Sequence, residues 1–191
     1  MRKAELTRKT RETDIELKLD LDGSGKNSVD TGVGFLNHML ELFSVHSGMD
    51  LCVRCKGDTE VDFHHSVEDV GICLGQAFKT ALGDKKGIAR FADRVGPMDE
   101  CAALVAIDIS GRPFLNFEEK LTGKIGDFDA ELVEEFLRAF SFNAGMNVYV
   151  KLLKGGNMHH EAEAIFKALA KCVQDAVKVV SDRIPSSKGV L

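Results

Sequence analysis

The chain has 191 residues, 44% of them hydrophobic, enough for a core that needs no disulfide or metal staples. Its 25 basic and 30 acidic residues leave a formal charge of -5, which excludes a general nucleic-acid surface but leaves room for a local basic pocket. Five cysteines (Cys52, Cys55, Cys73, Cys101 and Cys172) fit no disulfide framework, and no apolar run reaches the ~18 residues of a membrane span; a reduced, cytoplasmic protein with neither membrane nor nucleic acid as partner is expected.

In chain order, residues 4–10 and 14–21 read as two antiparallel strands, the second through alternation of Ile15, Leu17, Leu19 and Leu21, and "DGSGKN" supplies a turn. From Gly34, the residues Phe35, Met39, Leu42 and Phe43 recur at helical spacing until Gly48 ends the run. "MDLCVRCKGD" is then a strand. Its alternation puts Cys52 and Cys55 on opposite faces, which argues against a paired zinc or redox site. "HHSVEDVGICLGQAFKTALG" predicts a helix.

After "DKKGIARFADRVGPMDE" come an apolar strand, "CAALVAIDIS", and an alternating segment, "RPFLNFEEK". The order then repeats, with a helix in "DAELVEEFLRAFSFNAG", a strand in "MNVYVKLLKGG" and a long helix in "MHHEAEAIFKALAKCVQDAVKVVSD". The tail "IPSSKGVL" is irregular.

An offset of 97 residues pairs Phe43 with Phe140, Ser44 with Ser141, Gly48 with Gly145, Met49 with Met146 and Val53 with Val150. Dropping two residues aligns "HHSVE" with "HHEAE", so that His64, His65 and Glu68 match His159, His160 and Glu163. The chain therefore reads as α+β with a duplicated unit of strands, helix, strand and helix. Residues 1–87 form one half and 88–191 the other, together one compact pseudo-twofold unit. In the first helix of each half, His38 aligns with Glu135.

On a helix, residues four apart share a face and adjacent residues diverge by roughly 100°. His64 and Glu68 can thus grip one ion while His65 points elsewhere, and His159 and Glu163 can grip another while His160 turns away. If halves or subunits pack about a twofold axis, each leftover histidine completes the other pair. That gives one site of His159, Glu163, His65 and His38, and a second of His64, Glu68, His160 and Glu135. Imidazoles and carboxylates without thiolate suit Mn²⁺, Fe²⁺ or Zn²⁺, and six-coordination favours manganese. His46, two turns after His38 and opposite Asn143 in the repeat, reads as a substrate contact or a supporting group.

"GFLNHMLELFSVHSGMDL", "DFHHSVEDVGICLGQAF", "SGRPFL", "GNMHHEAEAIFKALA" and "PSSKGVL" together resemble the imidazoleglycerol-phosphate dehydratase family of histidine biosynthesis, from about residue 4 to the C-terminus. The resemblance implies two four-stranded sheets, each with two helices on one face, in the ribosomal protein S5 domain 2-like arrangement. It also implies a homo-oligomer of 24 subunits built from trimers, with active sites at interfaces and two Mn²⁺ in each. In the family a histidine commonly stands where this chain has Glu135, so the second site here has two histidines and two carboxylates.

The implied reaction removes water from imidazole glycerol phosphate to give imidazole acetol phosphate, through a two-metal-bound imidazolate and a diazafulvene. On this resemblance the catalytic residues are Glu163, the preferred base, Glu12, which orients the hydroxyls or shuttles a proton, and His38. Arg90, Arg112, Lys167, Ser187 and Lys188 are implied to hold the phosphate, with Glu12 and His46 also at the substrate.

Overall fold

The computed structural model describes residues 2–118, 120–189 and 191. The first half runs β1 (Lys3–Lys9), β2 (Thr13–Asp20), β3 (Asn27–Asp30), α1 (Gly34–Ser47), β4 (Asp50–Gly57) and α2 (His64–Leu82). The second runs β5 (Phe91–Met98), β6 (Cys101–Asp108), β7 (Phe114–Phe117), a small hairpin of β8 (Lys124–Ile125) and β9 (Phe128–Asp129), α3 (Leu132–Ala144), β10 (Asn147–Lys154) and α4 (Met158–Ala176).

Apart from the β8–β9 hairpin, each half folds its strands into one sheet of the same topology, β1-β2-β4-β3 in the first and β5-β6-β10-β7 in the second. In both, the last strand joins parallel and the other neighbours are antiparallel. Alternation sets which face is buried: Ile15, Leu17 and Leu19 point inward from β2, and Ala103, Val105 and Ile107 from β6. The α+β duplicated unit read from the sequence is thus the architecture of the chain.

The helices form a double layer between the two sheets. α2 lies on β1 and β2 and α4 on β5 and β6, while across the middle α2 packs on α3 and α1 on α4. Phe43 and Phe140, partners in the repeat, meet edge to face at 5.9 Å, and Phe78, Phe136 and Phe166 complete a fully buried aromatic centre. Each such ring contributes roughly 1.5–3 kcal/mol by leaving water. Gly71 and Gly75 let α2 approach α3 closely: a Cβ on Gly75 would lie 2.6 Å from the Phe140 carbonyl oxygen. Gly48 and Gly145, also repeat partners, end α1 and α3 in the left-handed conformation at φ 75° and 70°.

Three features depart from the sequence reading. β3 and β5 emerge from segments assigned no strand, because their pairing with β4 and β6 supplies what local alternation lacks. The β8–β9 hairpin is inserted between β7 and α3, where the first half passes from Asp30 to Gly34 with no added element. The predicted last helix was to run to residue 182, but α4 stops at Ala176. There Arg90 N donates to Ala176 O, Ala89 N donates to Lys178 O, and Val179 bridges Ile88. Strand-like pairing has replaced the helix over a β-branched run. Among the described residues, no helix is long and apolar enough to cross a membrane.

Candidate metal centre and anion pocket

Both histidine pairs lie in the first turn of a helix whose start is fixed by a side chain two residues earlier. His159 N donates to Asn157 Oδ1 at 2.9 Å, and His64 N donates to Asp62 Oδ1 at 2.7 Å. In α4 the four-residue spacing brings His159 Nε2 to 3.1 Å from Glu163 Oε1, and α1, packed alongside, delivers His38 Nε2 to 2.9 Å from the same oxygen. Lys167, one turn further on, places Nζ 2.5 Å from Glu163 Oε2. Glu163 is only 6% exposed. Burial is the largest single influence on its carboxyl and pushes the pKa up, but Lys167, His38 and His159 together outweigh it and hold the pKa at about 2. The group is ready-made for a cation.

The β8–β9 hairpin closes over this group. Phe35 packs at a tilt against Phe128 of the hairpin at 5.0 Å and meets His159 edge-on at 5.2 Å. His38, His159, Phe35, Phe63, Ile125 and Phe128 line a cleft of about 560 Å³.

The related group of the other half is looser. His64 Nε2 lies 4.0 Å from Glu68 Oε2, and His64 shares a cleft of about 310 Å³ with Glu134 and Glu135. The aligned pair His38 and Glu135 thus both stand at a histidine of the opposite half, Glu135 without the tight contact that His38 makes.

His65 and His160 join neither group. His65 Nδ1 is 3.0 Å from Asp58 Oδ2, with Nε2 3.7 Å from Glu12 Oε1. His160 Nδ1 is 2.9 Å from Glu100 Oε2, with Nε2 3.7 Å from Asp99 Oδ2. The carboxylate bonds raise the pKa of both histidines. Glu100 in turn is held at about 2, first by the Asn157 N–H and then by His160. Each ring is oriented through Nδ1 by a carboxylate, while Nε2 makes only the longer 3.7 Å contact and is the atom placed to meet an ion. Sequence reasoning missed Asp58, Asp99 and Glu100, which sit in loops where no periodicity marks them. Among the described residues, two groups have ligand atoms near enough for one ion: His38 with His159 and Glu163, and Asp99 with Glu100 and His160.

Four of the five residues implied at the phosphate share one cavity of about 490 Å³: Arg90, Arg112, Ser187 and Lys188, together with Lys79, Lys85 and Ser110. Arg90 forks Asp108 at 2.7 and 3.1 Å and donates to Pro185 O at 2.7 Å, which ties the tail to β6. Lys167 lies apart from this cavity, at Glu163. His46 lies near Lys167 and Lys171, and burial followed by those two cations lowers its pKa.

Residues 31–173 match the family model of imidazoleglycerol-phosphate dehydratase. The chain belongs to this family. The dehydratase of Acetivibrio thermocellus is 54% identical over 100% of this chain and 99% of its own length, and that of Azorhizobium caulinodans 53% over 100% and 99%. Among solved structures, the dehydratase of Staphylococcus aureus matches with TM-score 0.85 and 42% identity, covering 93% of this chain and 99% of that one. That of Pyrococcus furiosus matches with TM-score 0.85 and 33% identity, covering 97% and 100%. Membership in the dehydratase family assigns the chain to the hydro-lyases of histidine biosynthesis.

Proposed function

We propose that the chain dehydrates imidazole glycerol phosphate to imidazole acetol phosphate, with two Mn²⁺ per active site held by crossed histidine pairs. The observation that carries this is the convergence of His38 and His159 on one oxygen of buried Glu163, with His64 and Glu68 at the matching positions of the other half. The donor set suits such an ion: imidazole nitrogens and carboxylates with no thiolate, and a carboxylate that stays ionised though buried. His159, Glu163 and His38 are assigned to one ion, and His64, Glu68 and Glu135 to the other. His65 and His160, which stand apart within one chain, are assigned to ions whose other ligands belong to neighbouring copies. That assignment makes the active form a homo-oligomer, and 24 subunits built from trimers is the assembly proposed.

Divalent cations held by these residues would supply the Lewis acidity needed for loss of a hydroxyl beside the ring, since no carbonyl acidifies the neighbouring C–H. The chain's own groups then move protons and hold the substrate. Both oxygens of Glu163 are engaged and its carboxyl is held at about 2, which favours a holding role. Glu12 is exposed, with Oε1 3.7 Å from His65 Nε2, and is the group we assign to the proton that leaves carbon. The hydroxyl takes up a proton and departs as water, the proton that Glu12 removes from carbon restores the balance, and the enol left behind becomes the ketone as its O–H proton moves to the carbon that lost the hydroxyl. The cations around Arg112 hold the phosphate, while Lys167 and His46 approach the substrate from α4 and α1.

Product formation tests the reading. Purified protein supplied with Mn²⁺ should convert imidazole glycerol phosphate to the phosphorylated ketone, and Glu12→Gln should lose turnover while keeping its metal. No ketone from the wild type overturns the proposal.

A further inference from the structure

Three non-glycine residues among those described have left-handed backbone: Lys85 at φ 58°, Arg90 at 74° and Asp99 at 47°. Lysine and arginine lack the short side chain that eases this conformation for asparagine and aspartate, so each is held there by its surroundings. For Arg90 the compensation is visible in its fork to Asp108 and its bond to Pro185 O. Lys85 donates its backbone N–H to Leu82 O at 3.3 Å, but its side chain makes no such bond. It is 7% exposed, and among the described residues its ammonium makes no hydrogen bond or ion pair.

Lysines are almost never this buried unless paired. The ammonium lies 3.3 Å from where a Cβ on Gly111 would sit, and both residues line the cavity of Arg90, Arg112, Ser187 and Lys188. The absent side chain of Gly111 is what gives Lys85 its opening to that cavity. Burial lowers the lysine's pKa, and Lys79 and Arg90 push it the same way, with no carboxylate opposing them. Asp108 of β6 is already committed to Arg90.

We propose that Lys85 is the buried charge of the anion pocket, that its counter-ion is the phosphoryl group of the bound substrate, and that the empty pocket leaves the fold less stable than the filled one. This rests on the phosphate reading of the cavity given above. It adds a residue that acts through charge from beneath the pocket, and it links ligand binding to folding.

The test is thermal unfolding of the assembled protein against inorganic phosphate, with ionic strength matched by chloride, for the wild type, Lys85→Met, Lys85→Gln and Arg112→Ala. The wild type should melt higher as phosphate is added. Both Lys85 variants should melt at or above the wild type without phosphate, since a partly desolvated charge crowded by Lys79 and Arg90 is gone, and should bind phosphate about tenfold or more weakly. Full phosphate response in the Lys85 variants, or melting below the wild type without phosphate, overturns the proposal. If that occurs while Arg112→Ala loses its response, the pocket reading stands without Lys85; if the wild type itself does not respond, the pocket reading falls and takes this proposal with it.

Discussion

Replacing Glu163 with glutamine removes one charge and keeps the volume, so it isolates what the carboxylate does. In metal-free protein that carboxylate faces Lys167, His38 and His159, and its carboxyl is held at about 2 against an ordinary 4.5. The difference of about 2.5 units, at 1.36 kcal/mol each, makes ionised Glu163 worth about 3 kcal/mol to the fold. Because the folded pKa is depressed, that stability is fully present above about pH 4.5 and is lost as the pH falls through about 2. Urea unfolding of chelated wild type and Glu163→Gln should therefore differ by about 3 kcal/mol at pH 7, narrowing to about 1 kcal/mol at pH 3. With metal restored, the variant should bind fewer ions and lose turnover by about a hundredfold or more. Equal stability at pH 7, or a gap that does not narrow with acid, would refute the reasoning.

Other consequences follow from the same geometry. Asp58→Asn should let the His65 pKa fall toward 6.5, seen by NMR titration, and weaken Mn²⁺ binding by about 10- to 100-fold with the fold unchanged; Glu100→Gln should do the same through His160. Gly75→Ala puts a methyl 2.6 Å from the Phe140 carbonyl oxygen and should lower stability by about 1–3 kcal/mol in urea unfolding, with metal content per folded chain unaltered. Of the five cysteines, Cys52 alone is exposed, while burial pushes Cys73 and Cys172 up to about 12 and Cys55 up to about 11. A thiol reagent applied to folded protein should modify Cys52 alone, and rapid labelling of Cys73 or Cys172 would contradict the packing.

What was legible in the sequence followed from periodicity and repetition. The amphipathic runs of α1, α2, α3 and α4, the alternation of β2 and the apolar run of β6 are local signals, and the structure keeps them because core burial and local preference agree. The paired histidines were legible because they occur twice in register. Strand β5 was not: "FADRVGPM" alternates weakly, and only its pairing with β6 makes it a strand. Nor was the end of α4, where hydrogen bonds from the distant segment 89–90 compete with the helix. The carboxylates that orient His65 and His160 were invisible for a similar reason. Asp58 follows the last residue of β4, and Glu100 sits in the β5–β6 turn 60 residues before its histidine, so only the folded chain brings them together.

The central claim is that turnover depends on two ions held by these histidines and carboxylates. The most direct measurement is activity on imidazole glycerol phosphate as metal-free protein is titrated with Mn²⁺, with bound metal counted in the same samples. The account predicts no ketone before metal is added, and full activity on reaching two ions per chain. Full turnover by protein shown to be metal-free would contradict it.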